Sequence, residues 1–269
     1  MAGEKTLRIL SLLPAATEIV YSLGLEKYLV GGYSGRRVFH IKEGLLRKLR
    51  PNLILTQDLC EVCAVGFNQV KKAARALKSS NQELRIISLE PQSVEDILQN
   101  ILTVGKATGS RQQAQKVVIN LKKRIENCKL QVENFTKPKV CVVEWLDPLM
   151  IAGHWVPEMV GLAGGENLIA KPGQKSKILT LHQIVASKPD ILIISPCAFD
   201  IDRTIIEKEL ISKIGNALGE AARIVIVDGN SYMTRPGPRI VDGIEILAEI
   251  LHPDIFPRKY TKKDWVEFK

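Results

Sequence analysis

Short apolar runs alternate with amphipathic stretches along this chain. Strand-sized runs rich in Ile, Val and Leu fall at 7–12, 28–32, 52–56, 85–89, 139–144, 190–195 and 223–227. They lack a polar residue at every second position, which is the pattern of strands buried on both faces of a parallel sheet. Between them, amphipathic stretches predict helices over 15–23, 42–49, 67–78, 93–105, 156–163, 180–187, 203–217 and 237–251. Ser93-Val94-Glu95-Asp96 opens one of these like a capping box with Asp in the acidic place. Strand–helix alternation of this kind predicts an α/β fold with doubly wound parallel sheets and right-handed crossovers.

The pattern occurs twice. Arg50-Pro51-Asn52-Leu53-Ile54-Leu55 returns as Lys188-Pro189-Asp190-Ile191-Leu192-Ile193, and Arg85-Ile86-Ile87-Ser88-Leu89 returns as Arg223-Ile224-Val225-Ile226-Val227. Residue 51 maps onto 189 and residue 85 onto 223, 138 positions on in both cases. Upstream, Glu18 maps onto Glu158 and Gly24 onto Gly164, 140 positions on. A repeat of half the chain implies two similar lobes rather than a solenoid, whose units run about 20–50 residues. Residues 110–133 contain no helix breaker, and Val117, Leu121 and Ile125 recur at helical spacing. A helix of about 22 residues, about 33 Å long, is expected there, joining the lobes as one rigid rod. The domain reading is therefore lobe 1–109, linker helix 110–134 and lobe 135–269.

Composition changes this picture little. Of 269 residues, 45% are hydrophobic and 25% charged, which is ordinary for a globular protein. The 38 Lys and Arg against 29 Asp and Glu leave a formal charge of +9, spread along the chain with small clusters at Lys171–Lys177 and Arg258–Lys263. No zinc finger or RNA-recognition signature accompanies it, so no nucleic-acid partner is expected. The first apolar run is too short to cross a membrane, and no charged region with a cleavage site precedes it. The chain as given therefore reads as cytoplasmic, with reduced thiols, and as a monomer.

Several longer motifs stand out: Ser11-Leu12-Leu13-Pro14-Ala15-Ala16-Thr17-Glu18, Asp58-Leu59-Cys60-Glu61-Val62-Cys63-Ala64-Val65, Ser88-Leu89-Glu90-Pro91, Glu144-Trp145-Leu146-Asp147-Pro148, Gly153-His154-Trp155-Val156-Pro157-Glu158, Ala163-Gly164-Gly165 and Arg235-Pro236-Gly237-Pro238-Arg239. Together they make the chain resemble the substrate-binding proteins of metal-chelate ABC importers from about residue 7 to about residue 256, and within these the cobalamin-binding group. The resemblance implies two Rossmann-like lobes joined by a single long helix, the class III periplasmic-binding-protein build. It implies no catalysis and no prosthetic group. The ligand would be cobalamin or another metal chelate, held in the cleft between two lobes, with an ABC permease as partner and Glu18 and Glu158 as docking carboxylates. Two departures matter. The segment after Val30-Gly31-Gly32 is shorter than in that group and lacks its His- and Cys-bearing motif, and no Glu stands near Phe67-Asn68, where a docking Glu is expected in lobe 1.

Ligands of parallel α/β sheets sit beyond the carboxyl ends of the strands. Asp58–Val65, Trp145–Trp155, Cys197–Phe199 and Asp228–Arg239 all follow predicted strands. Cys60 and Cys63 are a Cys-x-x-Cys pair without a second pair, and they read as two loop thiols, as cleft-lining residues, as half of a structural zinc site or as a redox pair. Cys197 and His154 could join them as soft and imidazole donors. Trp155 and Trp145 offer flat apolar faces to a macrocycle, or pack in the core. His154 could bind a metal axially, donate a hydrogen bond, or be solvated. Phe199, Tyr232 and Met233, where their strands open, are further candidate ligand contacts, and Arg235 could pair with an anionic side group. The phosphate-loop, nucleophile-elbow and zinc-protease motifs are absent. Two other readings stay open. One is an enzyme of the same build holding a metal or cluster through Cys60, Cys63, Cys197 and His154. The other is a folded relic whose shortened first lobe no longer binds.

Overall fold

The computed structural model describes residues 6–32, 43–57, 70, 72 and 84–268. Cys60, Cys63, the segment after Gly32 and most of the helix expected at 67–78 lie outside the described residues; Val70 and Lys72 are helical. The chain divides into two compact units. The first comprises Met1–Pro91 with Asp96–Val118, and the second Gln92–Glu95 with Ile119–Lys269.

In the first unit, β1 (Ile9–Ser11), β2 (Leu29–Gly31), β3 (Leu53–Thr56) and β4 (Arg85–Ser88) form a parallel sheet in the order β2-β1-β3-β4. Helices α1 (Pro14–Ser22), α2 (Glu43–Leu49) and, from Asp96 on, α3 (Val94–Thr108) belong to this unit, while the first residues of α3, Val94 and Glu95, fall in the second. Strand β3 is buried along its whole length, as an unbroken Leu-Ile-Leu run requires. Leu10, Leu46, Ile54 and Val70 form one core cluster there. Helix α4 (Arg111–Val132) runs for 22 residues, and the division between the units falls inside it, after Val118.

The second unit carries β5 (Lys139–Leu146), β6 (Leu149–Ile151), β7 (Glu166–Asn167), β8 (Lys177–Ile178), β9 (Ile191–Ile194), β10 (Arg223–Val227) and β11 (Trp265–Glu267). Its helices are α5 (Val156–Leu162), α6 (Leu181–Ser187), α7 (Ile201–Ile205), α8 (Lys208–Leu218) and α9 (Ile240–Leu251). The parallel strands run β7-β5-β9-β10, the order of the first sheet again. Cys141, Val143, Leu192, Ile194, Ile211 and Ile226 meet in its core.

The duplication extends to individual hydrogen bonds. Leu53 pairs with Arg85 across β3 and β4, and Ile191 pairs with Arg223 across β9 and β10. The side chain of Asn52 accepts the Arg8 N–H at 2.9 Å, and that of Asp190 accepts the Lys139 N–H at 2.7 Å. This is the physical content of the repeated Pro-Asn/Asp pair: a short acceptor fixes the first N–H of the neighbouring strand. Arg50 and Lys188, which precede those pairs, both have positive φ, 43° and 49°. Helices α1 and α5 both start with a proline in the first turn, and Gly24 and Gly164 follow them with φ of 69° and 82°.

Three details differ from the sequence expectation. The helix expected at 203–217 is two helices, Ile201–Ile205 and Lys208–Leu218, and Asp200 starts the first by accepting the Arg203 N–H. Strands β6, β8 and β11 pair antiparallel at edges and carry no periodic signal of their own. At the start of α3 the Val94 N–H is taken by the Glu158 carboxylate at 2.8 Å. Glu158 is half-buried, and its carboxylate complements that helix terminus.

Candidate functional site

In the second unit, the segments after β5, β9 and β10 collect several of the expected residues. Trp145 lies at the end of β5 and donates its indole N–H to the Asp147 carbonyl at 2.9 Å. Its ring meets Phe199, from the loop after β9, with centroids 5.3 Å apart and planes tilted by 59°. The Arg203 guanidinium lies over Phe199 at 4.1 Å and pairs with Glu207 at 2.8 Å. The row Trp145–Phe199–Arg203 borders a small cavity of about 110 Å³, with Asp147, Pro196 and Leu210 on its other sides. Pockets that enclose a whole small molecule run about 300–1,000 Å³, so this cavity has room for no more than an edge or a side group. Ala198, between Cys197 and Phe199, has φ of 62°, a conformation that a side chain adopts at a cost. The Cys197 N–H donates to the Glu144 carbonyl at 3.0 Å, and its thiol is partly exposed.

His154 also has positive φ, 52°. Residues 173–176 hold it there. Its N–H donates to the Gln174 carbonyl at 2.6 Å, and its carbonyl accepts the Gly173 N–H at 2.8 Å. Gly153 has no room for a side chain, since a Cβ would run into the backbone of Gln174–Ser176. Nδ1 lies 2.9 Å from Gln92 Oε1. When Nδ1–H donates to that amide oxygen, Nε2 keeps its lone pair for a metal or a donor. Burial, and then the charge of Lys175, push the imidazole below its ordinary pKa, so it is neutral near pH 7.

The loop after β10 begins at Asp228, whose carboxylate accepts the Ser231 N–H at 2.8 Å. Residues 229–233 form a single wide π-type turn. Gly229 packs on the Pro196 carbonyl so closely that a Cβ would overlap it. Tyr232 donates its hydroxyl to Asp264 at 2.6 Å, and Arg235 donates to Asn230 at 2.7 Å.

Two of the residues expected at the ligand are buried. Trp155 is 6% exposed, and its indole N–H donates to the Met233 carbonyl at 2.8 Å. Met233 itself is 1% exposed. Both pack in the core of the second unit, with little surface exposed. Arg203 and Gln92 were not singled out in the sequence. The Phe199–Arg203 spacing of i, i+4 across the Asp200 cap is the available signal for the first; Gln92 is far from His154 in sequence and gives none. Among the described residues, no group of three or more His, Cys, Asp or Glu side chains could hold a metal ion.

Known proteins add to this geometry. A 25% identical relative over 268 residues, covering 93% of this chain and 81% of its own, is an uncharacterized ABC transporter substrate-binding lipoprotein of Bacillus subtilis (strain 168). The vitamin B12-binding protein of Vibrio parahaemolyticus is 26% identical over 212 residues, 75% of each chain. In fold, the chain matches a periplasmic heme binding protein from Pseudomonas aeruginosa with a TM-score of 0.75 at 18% identity, over 97% of this chain and 98% of that one. The cytoplasmic expectation finds no support in these relatives. No helix among the described residues is long and apolar enough to cross a membrane. Residues 48–228 match the model of the periplasmic binding protein family, and the chain belongs to that family.

Proposed function

We propose that this chain is a non-enzymatic binding protein for a metal chelate, a corrinoid of the cobalamin type, and that it delivers its cargo to an ABC permease. In this reading residues 1–109 and 135–269 are the two lobes and helix 110–134 is the rigid joint. The observation that carries it is the carboxyl edge of the second sheet. There an aromatic–guanidinium row of Trp145, Phe199 and Arg203 borders a cavity sized for a side group, and His154 holds a neutral imidazole in a constrained loop. A flat apolar macrocycle with polar substituents and a central metal suits such a set. The vitamin B12-binding relatives favour the corrinoid, and the fold shared with a heme-binding protein keeps the broader class of flat metal chelates in view. Tyr232, Arg235, Cys197, Cys60 and Cys63 complete the proposed contacts, and Glu18 remains a proposed docking residue.

A titration tests this. Purified protein is titrated with hydroxocobalamin, cyanocobalamin and haemin, following visible absorbance and Trp fluorescence. Saturable one-to-one binding of hydroxocobalamin is expected. Trp145→Ala weakens it by about tenfold or more. His154→Ala removes any shift of the visible bands while leaving part of the affinity. Saturation by haemin alone moves the cargo to haem. No saturable binding of any of the three up to about tens of micromolar, roughly −6 kcal/mol, overturns the reading.

A further inference from the structure

The C-terminal segment 257–268 lies outside the family match, which ends at residue 228, yet it is built against the loop after β10. Strand β11 pairs antiparallel with β10, Val227 opposite Trp265. Next to it, Asp264 holds the loop at two points. Its carbonyl accepts the Asp228 N–H at 2.9 Å, and its Oδ1 accepts the Tyr232 hydroxyl at 2.6 Å. Its other oxygen accepts the N–H and hydroxyl of Thr261, at 2.7 and 2.8 Å. The segment is itself anchored. Glu249 of α9, 4% exposed, accepts the N–H groups of Lys259 at 2.7 Å and Tyr260 at 3.2 Å, and the Trp265 indole N–H at 3.1 Å. Arg258 stacks on Trp265 at 3.9 Å and donates to its carbonyl at 2.6 Å.

A buried carboxylate that spends its oxygens on the backbone of a tail fixes that tail in one place. The turn 229–233 closes on itself through the Thr234 N–H to the Gly229 carbonyl and the Ser231 N–H to Asp228, but one turn of π-type helix is a strained, short element, and the Tyr232 side chain is held from outside by Asp264. We infer that the C-terminal segment is a positioning strap, and that Asp264 sets the Tyr232 loop, and with it Arg235, in the geometry that meets the ligand. Asp264 is a positioning residue, acting through Tyr232. The part of this that concerns ligand rests on the function proposed above; the part that concerns the loop does not.

Two measurements on the full chain separate those parts. Hydrogen exchange of the amides of 229–234 is compared in wild type, Tyr232→Phe, Asp264→Ala and Asp264→Asn, without ligand. Losing a hydrogen bond to a charged group speeds exchange of this loop by about tenfold or more in the first two variants, with β5 and β9 unchanged. Asp264→Asn keeps an acceptor for the hydroxyl and restores most of the protection. Chelate titration of the same proteins then shows weaker binding in Tyr232→Phe and Asp264→Ala, by about fivefold to tenfold; adding Tyr232→Phe to Asp264→Ala causes no further loss, because the alanine variant has already removed the Tyr232–Asp264 bond along with the Thr261 contacts. Unchanged loop exchange in Asp264→Ala overturns the strap. Faster exchange with unchanged affinity overturns its role in binding. A wild type that binds no chelate overturns the proposed cargo, while the exchange data still decide whether the strap holds the loop.

Discussion

At the scale of the residue, Trp155 and His154 show how neighbours in sequence part in structure. They follow a glycine that the loop 174–176 presses on, and their rings lie 5.8 Å apart. Yet Trp155 points into the core and His154 remains partly exposed. The sequence could rank the pair as unusual but could not say which side of the turn each ring would take. A stability series separates core from ligand roles. Trp155→Phe keeps the apolar bulk and loses the hydrogen bond to Met233, costing about 1 kcal/mol. Trp155→Ala opens a cavity and costs about 3–5 kcal/mol. Urea denaturation of both variants checks this, and a near-zero cost for Trp155→Ala would place the ring outside the core. Trp145 is partly exposed, and Trp145→Ala is expected to leave the urea midpoint almost unchanged.

At the scale of the element, the duplication is the strongest thing the sequence contained. The motif Arg/Lys-Pro-Asn/Asp carries a residue of positive φ, a proline that stops the helix, and an acceptor for the next strand. These are local demands on residue type, so they were visible as a repeat before any contact was known. Lys188 closes α6 in a left-handed conformation at φ 49°, ψ 60°. A side chain there is strained where glycine is not, so Lys188→Gly is expected to stabilise the protein by about 0.5–1 kcal/mol, net of the entropy glycine adds to the unfolded chain. Thermal unfolding measures it, and a fall in the midpoint would mean the Lys188 side chain makes a contact worth more than the strain. Edge strands β6, β8 and β11 were not legible, since a three-residue strand is defined by the partner it pairs with, not by its own pattern.

At the scale of the whole molecule, helix, core and tail of the second unit are tied by a charge network. Arg124 of α4 pairs with Asp242 at 2.5 Å and Glu245 at 2.8 Å on α9, and Tyr260 and Lys259 of the tail reach Glu245 at 2.7 and 3.1 Å. Burial alone would raise the Glu245 pKa, but the bonds from Arg124, Tyr260 and Lys259 outweigh it and hold the carboxyl at about 2, below its ordinary 4.5. A depressed carboxyl stabilises the fold fully above its unfolded pKa and loses that contribution as pH falls towards the folded one. Glu245→Gln should therefore lower the thermal midpoint most at about pH 6. Its deficit against wild type should shrink between about pH 4.5 and pH 2. A deficit that stays constant with pH would assign the loss to packing and not to charge.

By itself, the sequence determined the α/β class, the two repeated halves, the long helix over 111–132 and the order of the parallel strands along the chain. Each of these follows from local rules, such as apolar runs, caps, prolines and strand order, that act within a few residues. Only the tertiary structure decided which aromatic rings face outward, that Glu158 serves a helix terminus, that Gln92 meets His154, and that the C-terminal segment grips Tyr232. Those outcomes depend on residues tens of positions apart arriving at one place, and no short-range pattern encodes where a distant partner will stand.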